Sequence, residues 1–131
     1  MLELYREFGD FTLGSFYGIS WAERAQQHEA SGLTGEARAL LNDCYTGAWT
    51  GDITPDAEGR TPRQQDTDGD GIFDTGISSS PGDLDEAIRM AIIVGDPGAD
   101  VNVIGSPFEK IAAFRVGVLG GLDACRAQFG A

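Results

Sequence analysis

The sequence predicts a mainly α chain of about four helices, with a long acidic loop between the second and the third. Three observations carry this. Apolar residues recur at steps of three and four in four stretches. Two of those stretches open on Ser-Pro, a capping residue followed by the residue best tolerated in a first helical turn. No stretch alternates convincingly as a strand, and Val101-Asn102-Val103-Ile104 is the one candidate.

The first helix is expected from about Phe11 to Ala30. Leu13, Phe16, Tyr17, Trp21 and Ala25 make its apolar positions, and Ser31-Gly32 breaks it. The second is expected from about Gly35 to Trp49, with Thr34 as N-cap and Gly51 as stop. Its face is Ala37, Leu40, Leu41, Cys44, Tyr45 and Ala48. From Gly51 to Ser79 periodicity is lost and Gly, Asp, Thr and Pro dominate. Structureless loops of this length are unusual in compact domains, so something should organise it.

The third helix is capped by Ser80, with Pro81 at its first position, and Asp83 and Asp85 complement the positive end of its dipole. Leu84, Ala87, Ile88, Ala91 and Ile92 form its stripe, and Gly95 and Pro97 end it. In the fourth, Ser106 is the cap, Pro107 follows, and Glu109 completes a capping box. Phe108, Ile111, Ala112, Val118 and Leu119 can share a face, and Gly120-Gly121 is the expected stop.

A chain of 131 residues, 41% hydrophobic and 23% charged, fits one globular domain spanning 1–131, with 51–79 as a loop insertion. There is no internal repeat. The net charge of −12 leaves no basic patch for phosphates, which argues against nucleic acid and anionic membrane surfaces. It suits divalent cations. No apolar run approaches a membrane span, and MLELYREFGD does not read as a signal peptide. The chain is then either cytoplasmic or the later part of an exported precursor. Two cysteines, Cys44 and Cys125, are compatible with two separate buried thiols or with one disulfide. In the chain-entropy model a bridge closing so long a loop contributes roughly 4 kcal/mol.

The acidic loop contains DTDGDGIFD, residues 66–74. Carboxylates at its first, third, fifth and ninth positions and glycine at the sixth form the spacing by which a tight loop wraps oxygens around Ca²⁺. The expected ligands are Asp66, Asp68, Asp70 and Asp74, with Ile72 contributing its backbone carbonyl. The twelfth position, where an EF-hand carries a bidentate Glu, is Ile77. The stretch therefore resembles the calcium loops of thrombospondin type 3 repeats more than an EF-hand. A further ligand would come from elsewhere, such as Asp83 or water. The bland alternative is a solvated acidic turn. Even with calcium bound, the expected role is a staple that orders the insertion.

Three stretches, YGISWAERAQQ (17–27), ARALLNDCYTGAW (37–49) and SPFEKIAAFRVGVLGGLDAC (106–125), resemble in order and spacing the neutral zinc metallopeptidase family of bacteria. That family carries HEWGHxxQ on one helix, ELQADCYAGxWA on a second, a segment like SPGDLDEA, and a final GxxFxRxxxFxxGFxxGxxxC. Asp43, Cys44, Tyr45, Gly47 and Trp49 match the second helix, and Ser80 to Ala87 the third segment. Phe114, Gly117, Gly120 and Cys125 match the last, and Trp21 and Gln26 the first. The resemblance runs from about Phe8 to Phe129. It implies the helical half of a zincin domain, whose β-sheet half would lie upstream. It also implies a Cys44–Cys125 bridge and an extracellular or cell-envelope location.

The departures bear on function. Two His four residues apart face one metal in such a helix, and the Glu acts as base on its water. Here Ile19 and Glu23 stand at the His positions, Ser20 at the Glu position, and Ala39 at the third ligand. The resemblance therefore implies a degenerate zinc site: no catalytic residue, and Zn²⁺ not expected.

Other chemistry does not recover. His28 is the single histidine and reads as a surface residue. A five-residue step turns a helix by about 140°, so Glu23 and His28 diverge. Cys44 has no activating base in sequence. The expected function is a non-catalytic, calcium-stabilised remnant or divergent member of that family, structural or binding in role, with an unknown protein partner or a second copy. The alternatives are an active peptidase completed by a missing N-terminal half or unconventional ligands, and a calcium-dependent interaction module.

Overall fold

The computed structural model describes residues 6, 9, 11–29, 31–54, 82–93 and 105–130, without the side chains of 91–93. Among them are four helices and no strand: α1 (Phe11–Glu29), α2 (Gly35–Ile53), α3 (Asp83–Ile93) and α4 (Pro107–Phe129). The mainly α expectation holds. The strand candidate at 101–104 lies outside the described residues, as do Ser80 and Pro81.

Helix α2 is central. It packs most extensively on α4 and next on α1, while α3 touches all three. Two apolar clusters form the core. The first joins Ala22, Leu41, Cys44, Tyr45, Ala48, Ala113 and Cys125. The second joins Phe11, Ile53, Ala87 and Phe114.

The α2–α4 crossing is close because glycines line it. A Cβ on Gly117 would overlap the Cys44 carbonyl oxygen and lie 2.6 Å from the Ala48 nitrogen. One on Gly47 would overlap the Phe114 carbonyl oxygen. Gly51 faces Val118, whose carbonyl oxygen would be 2.6 Å from an added Cβ. This explains why α2 runs past the expected stop to Ile53: Gly51 is a contact, not a terminator. Thr34 holds the N-cap position of α2 but makes no side-chain cap bond.

The expected faces hold on most of α2 and α3, and on α4 and α1 they hold for Val118, Trp21 and Ala25 but not for Phe108, Leu119, Leu13 and Tyr17. On α4, Phe108 is 84% and Leu119 74% exposed, whereas Lys110, Ala113, Phe114 and Gly117 are buried. On α1, Tyr17 is 73% exposed and Leu13 is exposed too, while Phe11, Thr12, Ser15, Gly18, Ala22 and Gln26 are buried. Small residues take much of the inner face because they admit a neighbour closely. Gly18, for instance, takes the Trp49 ring against it. Ala37 of α2 is also exposed. On α3, Ala87 and Met90 are buried, and Leu84 and Ile88 pack against the second cluster.

Helix α4 starts as expected. The Ser106 hydroxyl accepts from the Glu109 N–H at 3.3 Å, and the Glu109 carboxylate accepts from the Ser106 N–H at 2.8 Å. This reciprocal bond holds the Glu109 carboxyl below its ordinary pKa. The helix does not stop at Gly120-Gly121. It kinks at Gly121 and continues to Phe129. Beyond the kink Cys125 meets Cys44 in a disulfide, with Cα atoms 5.7 Å apart and a sequence separation of 81. At the other end of the bundle, the Glu86 carboxylate on α3 accepts the Phe11 N–H at 2.9 Å, capping α1 from 75 residues away. No described helix is long and apolar enough to cross a membrane.

Candidate functional site

The α1–α2 seam contains the four positions that the resemblance assigns to a former metal site. Its register follows from Gln26, which is buried on α1. The Gln26 amide donates to the Arg38 carbonyl and to Asn42 Oδ1, each at 3.2 Å. Its own Oε1 has no partner. The Trp21 ring lies 6.4 Å from that of Tyr45. One turn before Gln26, the Glu23 carboxylate accepts from the Arg38 guanidinium at 2.5 Å. The seam thus brings Glu23 against the turn that carries Ala39.

These residues do not fit zinc. Ile19 and Ala39 have no donor atom, and both are half-buried. Ser20 offers a hydroxyl but is exposed. Glu23 is the one carboxylate, and it already pairs with the Arg38 guanidinium. His28 is exposed near the end of α1. No group of three or more His, Cys, Asp or Glu gathers among the described residues. The expected calcium ligands Asp66, Asp68, Asp70, Ile72 and Asp74 lie outside the described residues. Asp83 is buried at the start of α3.

Two polar groupings were not legible in sequence. In the first, Lys110 reaches Asp43 at 2.7 Å between α4 and α2, with both side chains buried. Burial pushes the Asp43 carboxyl up to about 6, against the attraction of the Lys110 ammonium. The signal for Lys110 was its spacing from Ala113, Phe114 and Gly117, a stripe that its charge disguises. In the second, Glu29 accepts from the Tyr45 hydroxyl and from Arg126, whose Nε lies 3.1 Å and Nη2 2.6 Å away. This ties the ends of α1 and α4 to α2. Burial, then the bond to Glu29, pushes the Tyr45 phenol up to about 12. The bond from Tyr45 lowers the Glu29 carboxyl more than any other contact does.

The Asp43 shift has a definite sign in stability. The folded carboxyl binds its proton more tightly than the unfolded one, so its contribution is full below about pH 4 and is lost as pH rises through about 6. Relative to Asp43→Asn, the wild-type chain should therefore lose stability between pH 4 and 6. Urea unfolding at four pH values reads this difference. Wild-type stability that instead rises relative to Asp43→Asn over this range would mean that the ion pair outweighs desolvation.

A groove of about 340 Å³ runs along the outer side of α4, lined by Phe108, Ile111, Ala112, Arg115, Val116 and Leu119. Their spacing traces one stripe, opposite the face that packs on α2.

No known protein family, curated protein or solved structure matches the chain.

Proposed function

We propose that this chain is a non-catalytic, divergent member of the neutral zinc metallopeptidase family, stabilised by calcium and acting as a structural or binding domain outside the cytoplasm. The observation that carries this reading is the Glu23–Arg38 pair. Where the family places two His, a Glu base and a third ligand, this chain places a guanidinium on its one acidic side chain, beside Ala39. A cation held 2.5 Å from that oxygen neutralises the charge a metal would need. The buried Cys44–Cys125 disulfide supports a location in an oxidising compartment.

Calcium belongs to the 66–74 loop in this reading, at Asp66, Asp68, Asp70, Ile72 and Asp74. Metal content per chain tests both halves of it, by elemental mass spectrometry after dialysis against metal-free buffer with a trace of calcium. About one calcium and no zinc per chain is the expected result. Stoichiometric zinc would overturn the degenerate site and return the peptidase reading. Neither metal would make the loop a plain acidic turn. Asp68→Ala should weaken calcium binding and speed proteolysis between Gly51 and Ser79. Identical cleavage with and without calcium in the wild type would count against the staple.

A further inference from the structure

Helix α4 is two rods joined at Gly121. Its φ of 67° and ψ of −166° break the helix in a conformation that only glycine adopts without strain. A Cβ there would meet nothing within 4 Å, so backbone conformation, not space, demands the glycine. The second rod, 122–129, is held in three ways. Cys125 bridges to Cys44, Arg126 pairs with Glu29, and Leu122 and Phe129 pack on the first cluster. The second cluster contains no residue beyond Gly121. The glycine crossing of α2 with α4 also lies before it.

We propose that residues 122–129 form a redox-released strap. Reduction of Cys44–Cys125 lets the strap detach at Gly121 and uncover the first apolar cluster, while the rest of the bundle stays folded. The bridge is the strongest of the three ties. Arg126–Glu29 is an exposed ion pair, and such pairs hold weakly. Two helical turns are too few to stay helical alone, so a freed strap frays instead of swinging as a rod. Both sulfurs are fully buried, so reductant gains access when the strap opens locally. The chemistry needs two electrons from the reductant, which a dithiol supplies. One of its thiolates attacks the Cys125 sulfur, the S–S bond breaks, and Cys44 leaves as a thiolate that takes up a proton. The dithiol's second sulfur then closes the reductant's own disulfide and releases Cys125 as the second thiol. Two electrons and two protons pass from the reductant to the protein.

Hydrogen exchange on the intact chain tests the proposal, with and without dithiothreitol, with reduction confirmed by alkylation of both thiols. Amides of 122–130 should exchange at least tenfold faster after reduction, while those of 41–53 and 107–120 keep their protection. Cys125→Ser should show the same pattern without reductant. Loss of protection across all four helices would overturn the proposal, as would an unchanged strap with both thiols alkylated. So would a bridge that survives native incubation with the dithiol, or a Cys125→Ser chain that does not fold.

Discussion

Gly117→Ala should lower the stability of the domain by about 3 kcal/mol, the upper end of what overpacking costs. The substitution alone would favour the helix by about 1 kcal/mol, because alanine is the better helix former. The tertiary effect has to exceed that gain, and the geometry says it does. The new methyl would overlap the Cys44 carbonyl oxygen and crowd the Ala48 nitrogen. Both are backbone atoms of a central helix, so no rotamer change relieves them. Relief requires α2 and α4 to separate, and separation loosens Tyr45, Phe114 and Ala113 together. Gly82→Ala is the control. An added Cβ there meets nothing within 4 Å, and the change should stay within about 0.5 kcal/mol. Equilibrium urea unfolding of both variants reads the difference. A Gly117→Ala protein as stable as wild type would mean that the helices are not in this contact in solution.

Lys110→Ala should cost about 3–5 kcal/mol near pH 8, the range for stranding a buried charge. The Asp43 carboxylate would then be buried with no cation within reach among the described residues. The deficit should shrink towards pH 5, where Asp43 takes up a proton and no uncompensated charge is left. The residual deficit is the lost packing of the Lys110 stem. Thermal unfolding of wild type and variant at pH 5 and pH 8 separates the two contributions. A gap that is equal at both values would assign the whole effect to packing and remove the ion pair from the account.

The two predictions concern opposite sides of one contact, the α2–α4 crossing. Cys44 belongs to it as well, since its carbonyl faces Gly117 while its sulfur reaches past the kink to Cys125. Apolar burial, a charge pair and a covalent link therefore act within a few turns of the same two helices. This concentration is why α2 and not the larger α4 is the organising element.

What the outer face of α4 shows is the converse. Phe108 and Leu119 stand in solvent because the inner side is reserved for Ala113 and Gly117. Periodicity alone cannot choose between the two faces. Phe108, Ala112, Arg115 and Leu119 recur with the same spacing as Lys110, Phe114 and Gly117. Phe108 and Leu119 suggested the wrong side, while Val118 does pack on the second cluster. The error on α1 has the same origin, with Leu13 and Tyr17 outside and Ser15 and Gly18 inside.

The sequence by itself determined the four described helices, their order and the α4 capping box, because those depend on local rules: periodicity, caps and proline. Asp43 and Gln26 were visible in it as matches to a pattern, without their partners. The tertiary structure alone decided that Leu13 and Tyr17 of α1 and Phe108 and Leu119 of α4 face outward, that α2 passes Gly51 and α4 passes Gly121, and that Arg38 meets Glu23 and Lys110 meets Asp43. The reason is that close helix crossings select for absent side chains. A glycine reads in sequence as a breaker or a stop, and only the backbone of a second helix lying against it shows that it is a contact.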